Sequence, residues 1–411
     1  CPVGALTSKP FRFSARVWEL TQRDSIAPHD GVGSNLHVHV RNNRVMRVIP
    51  RENNALNESW ISDRDRFSYE GLNAEDRLTD PLVKINGEWQ TTDWDTALRH
   101  SVSAIQKTLD QSGPEQVGAL ASPISTLEEL YLLQKLMRLL NVNNVAHRLR
   151  QIDFEHQSEM PVAPGLGQSV EELEKNDSIL LIASNIRCEQ PIVTHRLRKA
   201  AMRGANVSVV NSVDYDFYLP IEQKRIVNPA KLVNELAGIA KALLEQGCKS
   251  PAKGLDGHLA DVTADSSHKA IAKSLSDAQI SSVLVGAQGI QHPQFSIINA
   301  LASAIAQMSG SKYGLLAEGG NSVGAWLAGA VPHRTIGGQS VEKPGLNAAQ
   351  MMQGLKSYVL LNCEPEMDSA MPASTMDSLQ AANSVIVLSP YASDSMKSYA
   401  SVILPVAPFT E

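Results

Sequence analysis

Apolar runs too short to be helices recur along this chain with helix-length spacers between them, and that alternation restricts the fold more than any other feature. Ser178-Ile-Leu-Leu-Ile-Ala183 is followed by a polar turn, by a helical stretch opening at Pro191 and ending near Gly204, and by Val207-Ser-Val-Val210. Two strands joined through a helix must run parallel, because the crossover carries the chain back to the same end of the sheet. Similar runs occur at Ile280-Ser-Ser-Val-Leu-Val285, Tyr358-Val-Leu-Leu361, Val385-Ile-Val-Leu388 and Val402-Ile-Leu404. Their unbroken apolar character predicts strands covered on both faces. Two of them end alike, in Asn185…Cys188-Glu189 and Asn362-Cys363-Glu364. This reads as one supersecondary unit used twice, in two doubly wound α/β halves, with ligands expected at the carboxyl ends of the strands.

Ahead of this region the texture is different. Residues 34–49 read as a β-hairpin, with alternating Leu36, Val38 and Val40, a turn at Asn42-Asn43, and a return through Val45 to Ile49. A second hairpin is predicted around Asn86-Gly87, and these short strands and loops are expected to form a small β-rich unit ahead of the larger domain. From Asp93, read as an N-cap, a helix is predicted through Leu109, and Ser125-Thr-Leu-Glu128 reads as a capping box opening another.

The balance of residues excludes several classes. A net charge of -6 and the absence of a basic stripe argue against nucleic acid. The run Arg196-Leu-Arg198-Lys199 is read as a solvated helix face. No apolar stretch reaches the roughly 18 residues of a membrane span. Four cysteines, Cys1, Cys188, Cys248 and Cys363, lie far apart. Such usage suits a reducing compartment and provides no disulfide framework and no C-x-x-C metal motif.

Candidate chemistry is sparse. His37 and His39 share a strand face but lack a third ligand, so an exposed hairpin face is expected. Cys188 and Cys363 sit at strand ends with no identifiable His partner, which favours inert thiols. Gly165-Leu-Gly167 and Gly319-Gly320 do not open helices after strands in the G-x-G-x-x-G manner. The loop at Glu318-Gly-Gly-Asn-Ser322 is read as a tight turn at a close backbone approach.

Cys1-Pro2 is the run that closes a ferredoxin-type cluster set, where Pro turns the backbone away from the metal. The other thiolates of such a set are expected upstream, so the chain is expected to begin inside a cluster-binding segment. The run 401–411 stops just after a strand and is expected to be a second cut. Cys1-Pro-Val-Gly-Ala-Leu-Thr-Ser-Lys-Pro-Phe11, Arg16-Val-Trp18 and Trp60-Ile-Ser-Asp-Arg-Asp-Arg-Phe67 resemble the large iron–sulfur subunits of NADH–quinone oxidoreductase, respiratory complex I. Ala183-Ser-Asn-Ile-Arg-Cys-Glu-Gln-Pro191, Asn362-Cys-Glu-Pro365 and Ala400-Ser-Val-Ile-Leu-Pro405 resemble the wider molybdopterin oxidoreductase superfamily.

The resemblance implies three parts: residues 1–20 as the end of a ferredoxin-like region, 21–80 as a small cluster domain, and 81–411 as a molybdopterin oxidoreductase-like α/β domain of the formate dehydrogenase and DMSO reductase type. In the small domain the family's cluster cysteines fall on Ala27, Asp30, Ser34 and Ser62, so that cluster is expected to be absent. Asn211-Ser-Val-Asp214 stands where pterin enzymes carry a strand-end acid with basic partners, so no molybdopterin is expected. Cys1 is implied to be the fourth thiolate of a [4Fe–4S] cluster, one of the [4Fe–4S] and [2Fe–2S] clusters of a full-length subunit, with none held by this stretch alone. The implied role is scaffold within an enzyme that passes electrons from NADH to quinone and translocates protons, with this stretch inactive by itself. Implied partners are the peripheral-arm subunits, including the flavin- and NADH-binding one, with no nucleic acid and no direct membrane insertion. The implied location is the cytoplasmic side of a bacterial inner membrane, the stretch alone being soluble. The competing reading is a molybdenum or tungsten bis-pterin enzyme such as a formate dehydrogenase α-subunit.

Overall fold

Three sheets organise the computed structural model, which describes residues 3–249 and 254–411. The first is antiparallel: β1 (Thr21–Ile26), β2 (Asn35–Arg41) and β3 (Arg44–Pro50), in that order. Asn42 and Asn43 both adopt positive φ, 51° and 58°, the conformation that a two-residue turn between twisted strands requires. Leu36, Val38 and Val48 point into a small core with Ala27, Ile61 and Tyr69. Strand β1, polar and mostly exposed, is not apparent from sequence, and it changes the reading of the histidines. His39 is buried, hydrogen-bonded between Gln22 and Arg47, and His37 bonds Asp24 and Gln22. The expected exposed face is therefore covered by a neighbouring strand.

The second hairpin, β4 (Leu82–Ile85) and β5 (Glu88–Thr91), forms around Asn86 and Gly87 as predicted. It does not belong to the small unit. It continues a seven-stranded sheet that also holds β6 (Val117–Ala121), β7 (Val145–Ala146), β13 (Ser357–Leu361), β14 (Ser384–Leu388) and β15 (Val402–Leu404). The order across this sheet is β5-β4-β15-β14-β13-β6-β7. Pairing of Val83 with Val402 supplies β15 with an antiparallel neighbour. Between β7 and β13 the chain builds a separate parallel sheet from β8 (Ser178–Ile182), β9 (Asn206–Asn211), β10 (Gln223–Ile226), β11 (Ser281–Val285) and β12 (Lys312–Leu315), ordered β10-β9-β8-β11-β12. The stretch expected as one continuous domain thus holds a five-stranded sheet inserted within a seven-stranded one.

The first five α-helices are α1 (Asp63–Phe67), α2 (Trp94–Ser112), α3 (Leu127–Leu139), α4 (Ile186–Glu189) and α5 (Pro191–Met202). Both large sheets are sandwiched. Strands β6, β8, β11 and β13 are buried along their whole length, which is why their sequences lack alternation. Helices Leu232–Glu245 and Phe295–Ser309 cover one face of the five-stranded sheet, and α5 covers the other. Asp93 caps α2 through the Thr96 N–H at 2.9 Å, as expected. The capping box of α3 is one residue later than predicted, formed by Thr126 and Glu129. Ser125 is instead buried, its carbonyl and hydroxyl accepting from Asn321 and Asn362. Among the described residues no helix is long and apolar enough to cross a membrane.

Candidate functional site

Each large sheet reverses strand order once. Order runs outward in opposite directions from β8 and β11 in one sheet, and from β13 and β6 in the other. Loops leaving the carboxyl ends of strands diverge at such switch points and leave a crevice. The loops after β8 and β13, the two Asn…Cys-Glu segments, both open onto a single cavity of about 500 Å³. Cys188 and Cys363 both line it, although they are far apart in sequence. The sequence brings out the repetition but not this convergence. Ala183 and Asn362, at the two strand ends, share positive φ values of 48° and 52°. The repeated unit therefore also repeats its backbone turn.

The two cysteines differ in state. Cys188 is exposed, whereas Cys363 is buried with its Sγ 3.5 Å from the Leu120 carbonyl. Burial, with Asp368 and neighbouring Glu366 and Glu364, pushes the Cys363 thiol well above its ordinary pKa. That environment suppresses the thiolate, so Cys363 is no nucleophile.

The polar groups of the strand-end loops satisfy one another. Asn185 N–H donates to Glu189 Oε1 at 2.7 Å, and Ser184 Oγ and Ala287 N donate to Oε2. In the sister loop Glu364 N–H donates to Asp368 Oδ2 at 3.0 Å. Arg150 lies 3.5 Å from both Glu318 and Asp368, and Gln291 donates to Glu318 at 2.7 Å. Burial and the nearby Glu189 and Asp368 charges hold Glu318 above the ordinary carboxylate range despite Arg150. Asn211, flagged in the sequence, pins the β8 loop by accepting from Ser184 N–H and donating to its carbonyl, each at 2.8 Å.

A molybdopterin cofactor, the group this architecture implies, carries phosphates. Its natural sockets here would be the backbone N–H groups at the strand ends. Those N–H groups already serve Glu189 and Asp368, and a phosphate would meet these carboxylates together with Glu318. The donor set does not fit the group. The glycines agree. A Cβ on Gly319 would come within 2.9 Å of the Pro123 backbone, and one on Gly320 within 3.0 Å of Pro28. They serve a close approach within the protein, as the tight-turn reading expected.

The small unit meets the crevice at that same loop. Gly320 N–H donates to the Pro28 carbonyl at 2.7 Å, and the backbones of Asp30 and Glu318 pair in an isolated antiparallel β-bridge. The four positions that resemblance assigned to cluster ligands are all buried: Ala27, Asp30, Ser34 and Ser62. Ala27 N–H donates to the Ser34 carbonyl, so these two lie side by side. Ser62 caps α1 by accepting from Asp65 N–H, and Asp65 in return accepts from Ser62 N–H. Asp65, fully buried, is 2.8 Å from His29 Nδ1. Arg64 reaches Asp30 at 3.4 Å and donates to the Glu189 carbonyl at 2.8 Å. Only the Ser34 hydroxyl, among these four residues, is buried without a partner. Among the described residues no group of three or more His, Cys, Asp or Glu side chains is arranged to hold a metal ion. Cys1, the expected thiolate, lies outside the described residues.

The basic run on α5 departs from its expected solvated face. Arg196 is buried, donating to the carbonyls of Asn54 and Leu56 and to Glu58 and Glu174. Lys199 joins the same two carboxylates and Arg203 adds to Glu174, while His195 bonds Glu58. These partners come from the small unit and from the segment before β8, which helical periodicity does not reveal. The network clamps the small unit to α5.

Comparison with known proteins follows this division. Residues 77–411 match the family model described as molybdopterin oxidoreductase, and residues 20–70 match the NADH-ubiquinone oxidoreductase NDSU1/NuoG-like, 4Fe-4S domain. No cysteine occurs within 20–70. The 78 kDa mitochondrial subunit of NADH-ubiquinone oxidoreductase from Candida albicans is 36% identical over 250 residues, 61% of this chain and 34% of that one. The NADH-quinone oxidoreductase G subunit from Rickettsia bellii is 37% identical over 197 residues, 48% of this chain and 28% of that one. The match thus spans about a third of these relatives' length. Among solved structures, acetylene hydratase from Pelobacter acetylenicus superposes with a TM-score of 0.68 at 14% identity, covering 93% of this chain and 62% of that one, a likeness of fold. By its fold and by the match over residues 77–411, this chain belongs to the molybdopterin oxidoreductase family, with NADH–quinone oxidoreductase subunits among its homologues.

Proposed function

We propose that this chain is a portion of the large iron–sulfur subunit of NADH–quinone oxidoreductase and acts there as scaffold. Electrons would pass from NADH to quinone through clusters held elsewhere, with proton translocation performed by the assembly. The observation that carries the reading is the state of the small unit. It matches a [4Fe–4S] domain, yet Ala27, Asp30, Ser34 and Ser62 stand where the resemblance implies ligands, and hydrogen bonds and ion pairs tie the surrounding loop to α1. Thiolates are the ligands that such clusters require, and serine or aspartate oxygens are poor substitutes. The crevice supports the same reading, since its carboxylates occupy the sockets a pterin phosphate would need. This disfavours the bis-pterin enzyme.

Cys1 is assigned as the fourth thiolate of a [4Fe–4S] cluster whose other ligands lie in the full-length subunit, alongside further [4Fe–4S] and [2Fe–2S] centres. Residues 1–20 would close that cluster region, 21–80 would be the cluster-free small domain, and 81–411 the scaffold. Partners would be the peripheral-arm subunits, among them the flavin- and NADH-binding one, on the cytoplasmic face of the membrane and without insertion into it.

The test is metal content followed by spectroscopy. Anaerobically purified chain should hold no stoichiometric iron, sulfide or molybdenum. In the full-length subunit within the complex, Cys1→Ser should abolish or shift one cluster signal in low-temperature EPR and impair NADH–quinone turnover, while Cys188→Ser and Cys363→Ser leave both intact. Equimolar iron and sulfide in the isolated chain, or unchanged clusters after Cys1→Ser, would refute the assignment.

A further inference from the structure

On the far wall of the crevice the charge balance inverts. Trp326, buried in the core beside the five-stranded sheet, is ringed by cations and imidazoles. The Arg148 guanidinium lies 4.6 Å from its ring centre and 4.7 Å from that of Phe154, and Arg334 lies 5.7 Å away. His333 and His147 meet the indole edge-on at 5.6 and 6.2 Å.

Among the described residues no carboxylate pairs with Arg138, Arg148 or Arg334. Arg138 donates to the Asn143 side chain and to the carbonyls of Val331 and Arg334. Arg334 donates to the carbonyls of Ser158, Met160 and Pro161. Arg148 donates to Gln157 Oε1. Every acceptor is neutral.

Donors are also left over. Arg138 Nε, Arg148 Nε and both ring nitrogens of His333, one a donor and one an acceptor in the neutral ring, are buried with no partner, and they make up half of the eight such atoms among the described residues. His333 is only 7% exposed. Buried N–H groups are rarely left unpaired, and buried positive charge is rarely left without a counter-charge. Burial and the surrounding arginines also push His333 down to about 4 against the opposing pull of the Gln157 backbone nearby, so its imidazole is neutral and carries one N–H. Arg148 lines the cavity together with His147 and Trp326, so this edge of the cluster faces the crevice.

We propose that the cluster of Arg148, His333, Arg138 and Arg334 beside Trp326 binds one small inorganic anion, a halide or a phosphate-like oxyanion, entering from the crevice. The site lies apart from the strand-end loops, whose N–H groups serve Glu189 and Asp368. It is independent of the scaffold reading, because it rests on uncompensated charge and unpaired donors alone.

The experiment compares melting temperature in sodium bromide, sodium phosphate and sodium gluconate at matched ionic strength, and locates bromide by anomalous diffraction from soaked crystals. Expected is a saturating rise in Tm with bromide or phosphate over gluconate, and an anomalous peak between Arg148 Nε and His333. Bromide alone or phosphate alone producing the rise identifies which kind of anion is bound. Arg148→Met should abolish the rise, whereas Lys107→Met, on the exposed face of α2, should keep it. If Arg148→Met does not fold, His333→Gln serves in its place and should weaken the rise. Equal Tm in all three salts with no peak in the cluster would mean that water satisfies these groups, and the proposal would fall. A rise that survives both Arg148→Met and His333→Gln would overturn it equally.

Discussion

The small β unit and the crevice between the large sheets meet at one loop, yet they have settled differently. Around Ala27, Asp30, Ser34 and Ser62 the structure is closed by His29–Asp65, Arg64–Asp30 and the cap on α1. The crevice keeps a cavity of about 500 Å³. The difference teaches where support comes from. The small unit has three strands and a short helix, too little apolar surface to hold its loops without cross-links. The crevice is a gap between two sandwiched sheets whose own cores hold its walls apart, so nothing has to fill it.

The largest test of this contrast is the clamp on the small unit. Arg196→Met should destabilise the chain by about 3–5 kcal/mol, because Glu58 and Glu174 would stay partly buried with only Lys199, Arg203 and His195 as partners. Urea unfolding measures it, and a change below about 1 kcal/mol, on the order of an exposed pair, would mean that the clamp does nothing. Next comes Asp65→Ala, expected to cost about 1.5–3 kcal/mol through the lost charged hydrogen bonds to His29 and Ser62. If its loss were no larger than that of Asp95→Ala, an exposed acid on α2, the ion pairs would not be the cross-links described.

Acidity separates the regions by sign. Lys199, His195 and Arg196 hold Glu58 down to about 2 against burial. A lowered folded pKa contributes stability above the ordinary glutamate value, and that contribution is lost as pH falls from there towards 2. Glu318 in the crevice and Glu364 in the loop beside it are raised by burial and like charges. Their contribution is therefore greatest below the ordinary glutamate pKa and lost as pH rises through the raised one. Accordingly Glu58→Gln should lower Tm at neutral pH and converge with the parent near pH 2. Glu318→Gln should raise Tm at neutral pH and lose that advantage in acid. Parallel Tm profiles for the two variants would contradict the contrast. The smallest effect belongs to the exposed thiol. Cys188→Ser should change stability by no more than about 0.5 kcal/mol, and maleimide should label native Cys188 while sparing Cys363. Equal labelling of both would mean that the crevice wall opens.

Reading from sequence succeeds where neighbours in the chain decide the outcome. Asn42-Asn43 and Asn86-Gly87 specify their turns by tolerating positive φ, and Asp93 caps its helix with a side chain three residues from its donor. It fails where the partner is remote. Strand β6 escapes notice because Gly118, Ala119 and Ala121 carry little strand preference; burial on both faces makes it a strand. His39 looks exposed because β1 is polar and its pairing is tertiary. Arg196 looks solvated because Glu58 lies 138 residues away.

The sequence by itself determined the alternation of strand and helix, the hairpin turns and the absence of thiolates from residues 20–70, since these depend on side chains within a few positions of one another. Only the tertiary structure decided that the five-stranded sheet is inserted between β7 and β13. That insertion carries Cys188, Cys363, Glu189 and Asp368 to one crevice and gathers Arg148, Arg334 and His333 around one indole. Charge pairing and cavity shape depend on distances across the folded core, and local periodicity carries no record of which remote segments will be brought within those few ångströms.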